Sequence, residues 1–361
     1  MNGVDVALAR AAAGSLLDQP THRPVGVSCA RAAALLAAAD QHRISGLLAQ
    51  AVDDRFLLTD EAFRAAAHEQ HLAALRTSVR CEMVAASVTA ALSASGIESR
   101  ALKGVAMAHL DYGDPSRRVF GDADLLVRRR GLLDALAVLD ALGFTRDHPP
   151  VRGWWERRFG KAVVLSDRHG VEIDLHLTIA GGYYGLRIPT DELFVPGDEF
   201  EVAGVSMTAL PRHLRLVQAA LHAVLGGGSG LRALRDVAQL AVDRPTLEAA
   251  RTAAQRWQCE PVVATAIRAA WTVLSLPTHH DAILWANQIP ISTTDDQRMS
   301  ASAGDAAAGW AGEGRAAVAA LPRWRRPAYL VGLAFPSRAS LRARQRSLPR
   351  HLVRIASRSR G

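Results

Sequence analysis

The chain has 361 residues, 49% of them hydrophobic and 22% charged, with 43 basic against 35 acidic side chains and a formal net charge of +8. That length and apolar content suffice for one large domain or a few smaller ones and exclude a globally disordered chain. Eleven of the 43 basic residues are arginines in residues 321–361, which contain no Asp or Glu; the other residues hold 32 basic against 35 acidic side chains, so the body lacks the charge of a nucleic-acid groove.

Met1–Asp5 has no basic stretch, so no signal peptide is expected, and no apolar run approaches the ~18–20 residues of a membrane span. Cys29, Cys81 and Cys259 show no Cys-x-x-Cys spacing, which points to reduced thiols and a cytoplasmic protein. Residues 1–95 read as a helical region. Helices are expected over Arg31–Ala39, Ile44–Val52 and Glu61–Leu92, the third capped by Thr59 or Asp60. His68 and His71 lack the spacing of a helical zinc motif and fit a helix surface.

Residues 96–210 read as an α/β core. After Gly96 come a strand over Ile97–Leu102, a helix over Val105–Leu110, a strand over Ala123–Val127 and a helix over Leu132–Leu142 stopped by Gly143. Strands at Lys161–Leu165 and Gly170–Leu177 form a hairpin around Asp167–Gly170. Trp154 and Trp155 fit either a base-stacking platform or a hydrophobic plug. Residues 181–210 read as loop with a hairpin at Phe200–Val202 and Val205–Thr208.

The chemistry concentrates in this core. Asp122 and Asp124 alternate with Ala123, Leu125 and Val127, so a strand sends both carboxylates to one face, ~7 Å apart at Cα and within reach of a shared hard cation. On the later strand, the same alternation puts Glu172, Asp174 and His176 opposite Val171, Ile173 and Leu175. Lys103 and Lys161 are the only lysines in the chain. A lysine beside Gly104 at a helix start offers backbone N–H groups and a compact ammonium, which is equipment for phosphate. A carboxylate pair beside a phosphate cradle is what phosphoryl or nucleotidyl transfer requires. Plainer readings remain open: Asp122 as a turn residue, Asp124 as an edge carboxylate, Lys103 as a helix-start surface residue, Arg118 as a structural ion pair, His176 as a structural hydrogen-bond partner.

Residues 211–290 read as a helical domain, with helices at His213–Leu225, Leu231–Val242, Leu247–Trp257 and Val262–Leu274. The Gly226–Gly230 run follows a helix and lacks a Walker lysine, so it reads as a connector. Residues 291–361 are expected to comprise a mobile polar segment over 292–320 and a basic tail. There Leu348, Leu352 and Ile355 share one helical face opposite Arg350, Arg354 and Arg358, a packed terminal helix or a contact for an acidic partner.

Leu102-Lys103-Gly104, the Asp-x-Asp of residues 122–124 and Ile173-Asp174-Leu175 resemble the nucleotidyltransferase fold of the DNA polymerase beta superfamily. More narrowly, Leu-Lys-Gly, Tyr112-Gly113-Asp114-Pro115, Arg118 four residues before Asp122, and Val171–His176 resemble a bacterial nucleotidyltransferase group with Lys-Gly in that loop. Leu221-His222 and Leu234-Arg235-Asp236, expected to pair through His222 and Asp236, resemble its helical C-terminal half. The resemblance covers about residues 40–245. It implies a mixed β-sheet flanked by helices, an α/β (α+β) fold, and an enzyme of the nucleotidyltransferase class (EC 2.7.7-type). It also implies two Mg²⁺ ions, replaceable by Mn²⁺, on Asp122, Asp124 and Asp174. Lys103, Gly104 and Arg118 would then bind the phosphates of an NTP donor, ATP among the candidates, with Glu172 and His176 beside the metals or on the acceptor side. The group is linked to lasso-peptide and other natural-product tailoring genes, which suggests a peptide or small-molecule acceptor. The other readings are a nucleotide- or partner-binding protein without catalysis and an RNA-end nucleotidyltransferase, the latter at odds with the acidic body. Lys103 stands where the wider superfamily has Gly or Ser, and the interval from Gly104 to Asp122 is long, so the loop's phosphate contacts do not transfer directly.

Overall fold

The computed structural model describes residues 6–14, 16, 24–226, 230–303, 309–343 and 348. Helices α1 (Val6–Ala13), α2 (Cys29–Gln41), α3 (Ser45–Asp53) and α4 (Glu61–Ala94) come first, with the two-residue strands β1 (Val25–Gly26) and β2 (Leu57–Leu58) paired in parallel. Asp60 caps α4, accepting from Phe63 N at 2.8 Å. Next are β3 (Ser99–Ala101), α5 (Lys103–Asp111), β4 (Ala123–Val127), α6 (Leu132–Ala141), β5 (Thr145–Arg146), α7 (Gly153–Phe159), β6 (Ala162–Ser166) and β7 (Glu172–His176).

These strands form one mixed sheet in the order β3-β4-β7-β6-β5. β4 and β7 are parallel and in register, Asp124 opposite Asp174, while the other neighbours are antiparallel. Period-two alternation sends Ala123, Leu125, Val127, Ile173, Leu175, Val163 and Leu165 to one face. They pack there on Cys81, Ala85, Val88 and Leu92 of α4 and Leu132, Ala135 and Leu139 of α6. With this face filled by hydrocarbon, the carboxylates of β4 and β7 are left to the opposite face.

That opposite face meets helices. After α8 (Gly182–Arg187) and the hairpin β8 (Glu199–Val202) and β9 (Val205–Thr208) come α9 (Arg212–Leu225), α10 (Leu231–Ala241), α11 (Arg244–Trp257), α12 (Glu260–Val273) and α13 (Asp281–Gln288). Their apolar faces and those of α1 and α3 join Leu102, Met107 and Tyr112 around α5 in one core. α14 (Thr293–Ser302), α15 (Gly309–Ala320), α16 (Arg326–Ala334) and α17 (Arg338–Ala343) follow. Phe159, Ala317, Leu321 and Tyr329 form a small separate core against Trp154 and Trp155. Trp155 is a packing residue there: its Nε1 donates to Tyr329 O at 3.1 Å, and a Cβ on Gly332 would lie 1.9 Å from its ring.

The mixed α/β fold with helical flanks is as the sequence implied. One local expectation fails: residues 181–210 also contain α8 and a 3-10 turn at Thr190–Phe194. Within residues 292–320 lie α14, opened by the reciprocal capping box of Ser292 and Asp295, and the alanine-rich α15. The helix expected through Leu352 and Ile355 lies outside the described residues. Among those described, no helix is long and apolar enough to cross a membrane.

Candidate active site

The in-register pairing of β4 and β7 sets the site, since facing residues on neighbouring strands point the same way ~5 Å apart. The Lys103 ammonium lies 2.6 Å from Asp124 Oδ1, and His176 Nε2 lies 2.7 Å from the same oxygen. His176 Nε2 is also 3.7 Å from Asp174 Oδ2, and its Nδ1 is 3.3 Å from Thr178 O. Asp124, Asp174 and His176 each offer an atom within 4.8 Å of the others. Asp174 Oδ1 is buried without a hydrogen-bond partner.

Burial works against ionising Asp124, yet Lys103 and His176 overcome it and hold the carboxyl well below the usual carboxylate range. Burial likewise disfavours the Lys103 charge, but Asp124, with Asp122 and Asp174 behind it, raises the ammonium above its ordinary value. The Asp174 carboxyl is pushed up, first by burial and then by Asp124 and Asp122, against the pull of His176 and Lys103. Glu172 is raised by burial and by Asp174 and Asp122. One carboxylate is thus neutralised by neighbours while the other is destabilised and has an oxygen unclaimed. Such a pair favours a cation between them.

The loop above the carboxylates is held from below. Lys103 has φ of 39°, the left-handed region, at the start of α5. Gly104 follows with no room for a side chain, since a Cβ would lie 2.8 Å from Phe120 Cγ. Arg118 donates to Gly104 O at 3.1 Å and grips Asp236 on α10 through Nε at 2.8 Å and Nη2 at 2.7 Å. The Tyr112 hydroxyl donates to the same carboxylate at 2.9 Å. At the far end of α5, Asp111 accepts twice from Arg215 of α9, both at 2.8 Å. Two buried Arg–carboxylate forks therefore pin α5 to the helical layer and fix the Lys-Gly turn over the sheet.

The structure thus brings together Lys103, Gly104, Asp124, Asp174 and His176. Asp122 and Glu172 act on the cluster electrostatically, and His176 joins Asp124 and Asp174 within it. Arg118 is 4% exposed with its fork occupied by Asp236 and Gly104, so it is the structural ion pair rather than the phosphate clamp. The expected His222–Asp236 pair is replaced by Arg118–Asp236. His222 instead faces Lys103 and Arg232, and burial followed by those two charges pushes its ring down to about 3.

Two residues had not been singled out for the site. Lys161 precedes β6, and its ammonium is lowered by burial and then by Lys103, while Asp174, Asp124 and Asp122 raise it. It pairs with no carboxylate among the described residues, and its one sequence signal is being the second lysine of an arginine-rich chain. Gln218 of α9 accepts from Lys103 N at 3.5 Å and leaves its buried Nε2 unpaired. His222, four residues on, lies on the same face of α9.

The donor set fits a divalent cation: two carboxylates suit a hard ion, and Asp174 Oδ1 is available for one. His176 is already hydrogen-bonded to Asp124, which orients that carboxylate.

A family model described as an uncharacterised nucleotidyltransferase matches residues 28–275, more than half of the chain. No curated protein matches the chain. Among solved structures, an antigenic nucleotidyltransferase-like protein from Paracoccidioides brasiliensis is similar, at 17% identity and a TM-score of 0.32 over 52% of this chain and 92% of that one.

Proposed function

The chain belongs to this nucleotidyltransferase family, and on that footing we propose that it moves a nucleoside monophosphate from an NTP to a hydroxyl or phosphate acceptor at the Lys103–Asp124–Asp174–His176 site. The observation that carries the reading is the in-register Asp124–Asp174 pair with an unclaimed Asp174 oxygen, set under the Lys-Gly turn.

In this reading Asp124 and Asp174 hold Mg²⁺ or Mn²⁺, with Asp122 at the edge to serve a second ion. The bound ions supply charge neutralisation for the phosphates and make the acceptor hydroxyl easier to deprotonate. Lys103 exchanges its Asp124 contact for an incoming phosphate oxygen, which its compact ammonium does at little geometric cost. Gly104 offers the backbone N–H of the turn to phosphate, and Lys161 contributes a second ammonium to the departing pyrophosphate. His176 orients Asp124. Glu172, raised by its acidic neighbours, lies toward the acceptor and takes up its proton. Arg118 acts at one remove, by fixing Gly104. A small-molecule or peptide acceptor, such as a natural product under tailoring, suits a body with 32 basic and 35 acidic residues better than RNA does.

Calorimetric titration of ATP, GTP, CTP and UTP with Mg²⁺ tests the proposal. Metal-dependent binding of at least one nucleotide is expected, lost in Asp122→Ala/Asp124→Ala with the fold intact by circular dichroism. Failure of the folded wild type to bind any of them overturns it.

A further inference from the structure

Beyond the end of β4, on the far side from Asp124, Arg128, Arg129 and Arg130 open onto a cavity of about 410 Å³. Arg158 from α7 and Arg325 from the first turn of the acid-free tail complete a lining of five arginines. Arg128 is already matched, to Asp191 at 2.6 Å and Glu98 at 3.1 Å. The other four pair with no carboxylate among the described residues.

Arg129 is the most telling of them. Its guanidinium donates only to neutral oxygens: Gly160 O at 3.0 Å, Thr190 Oγ1 at 3.3 Å and Arg157 O at 3.4 Å. Burial, and then the Arg325 charge, lower it to about 10. A partly buried guanidinium facing another without a counter-ion is an unfavourable arrangement that a bound anion relieves. The rest of the lining combines apolar Phe159, Leu186, Ile188 and Leu321 with Thr190 and with Asp191, whose carboxylate Arg128 engages. The volume lies within the ~300–1,000 Å³ typical of small-molecule sites.

We propose that this cavity binds a small organic phosphate monoester, its phosphate on the Arg129, Arg158 and Arg325 guanidinium groups and its apolar or aromatic body against Phe159 and Leu321. Several uncompensated guanidinium forks match a dianion with three terminal oxygens better than a monoanion. The site is distinct from the carboxylate cluster: Arg129 opens a 3-10 turn beyond the end of β4, and none of Lys103, Asp124, Asp174 and His176 lines the cavity. The tail's arginines thereby gain a role at their first turn, closing the cavity rather than waiting for a macromolecular partner.

The test is calorimetric titration of phenyl phosphate in EDTA, a condition under which metal-dependent binding at the carboxylate cluster is absent. Saturable one-to-one binding is expected with Kd below about 1 mM, with benzyl alcohol failing to bind. Arg158→Glu/Arg325→Glu changes exposed side chains only and is expected to weaken binding by at least about tenfold at unchanged Tm. Lys103→Met is expected to leave it unchanged. No binding to folded wild type, binding undiminished in the charge-reversed variant, or binding lost in folded Lys103→Met overturns the proposal. Each of these outcomes is independent of nucleotide transfer, so the two readings fail separately.

Discussion

The Lys103 ammonium lies 2.6 Å from Asp124 Oδ1, so the cation of the Lys-Gly turn neutralises the strand carboxylate directly. Both groups are largely enclosed, with side chains 14% and 1% exposed. A buried pair of this kind contributes little net stability, but breaking it from one side strands the other charge.

Asp124→Asn is therefore expected to destabilise the fold by about 2–4 kcal/mol, and Lys103→Met by somewhat less because His176 still serves Asp124. The double variant is expected to cost less than the sum of the two, with a coupling of at least about 1 kcal/mol. Urea unfolding of the four proteins measures this. Strict additivity would show that the two side chains do not depend on each other.

Arg118 and Lys161 separate holding the loop from touching the ligand. Arg118 and Asp236 are 3% and 4% exposed, and Arg118→Ala leaves the carboxylate buried with only Tyr112 as a donor. A loss of about 3–5 kcal/mol is expected. Lys161 has no such partner, so Lys161→Ala is expected to leave Tm within about 1 °C while weakening Mg-nucleotide binding about tenfold. The lowered Lys161 ammonium adds a pH signature. It loses its charge at lower pH than an ordinary lysine, so the wild-type advantage over Lys161→Ala should fade as pH rises through that lowered value. Denaturation paired with nucleotide titration at several pH values checks both claims. A Tm collapse in Lys161→Ala with unchanged affinity would reverse the assignment.

Much of this site follows from local patterns. The limits of β4 at Ala123 and Val127 come from strict alternation of apolar residues with carboxylates, a signal carried within five residues. The register that sets Asp124 against Asp174 is not local. β4 and β7 are separated by two strands and two helices in the chain, and only tertiary pairing decides that they are neighbours. Across the same gap, pairing of β4 with β7 brings His176 to Asp124. Arg118 was legible as a residue of importance but not as the holder of Gly104, since Asp236 arrives from a helix 118 residues away. The arginine cavity is assembled from four separated segments and leaves no contiguous motif. Polar composition hid α14, where the Ser292–Asp295 capping box outweighs a weak apolar stripe.

His222 gives the last expectation its direction. The ring is buried beside Lys103 and Arg232, and its folded value of about 3 lies below the ordinary 6.5. Above pH 6.5 neither folded nor unfolded ring binds a proton, and the group leaves stability unchanged. Between 6.5 and 3 the unfolded chain binds the proton and the folded chain does not, so stability falls as pH falls. From pH 7 to pH 5 that loss is about 1–2 kcal/mol, discounted for the access water retains to the ring. His222→Gln keeps a neutral polar side chain at the position and cannot titrate, so its loss over the same interval should be smaller by that amount. Urea unfolding at pH 7, 6 and 5 reads the difference, and an identical acid slope in His222→Gln would mean that the ring charges freely in the folded protein.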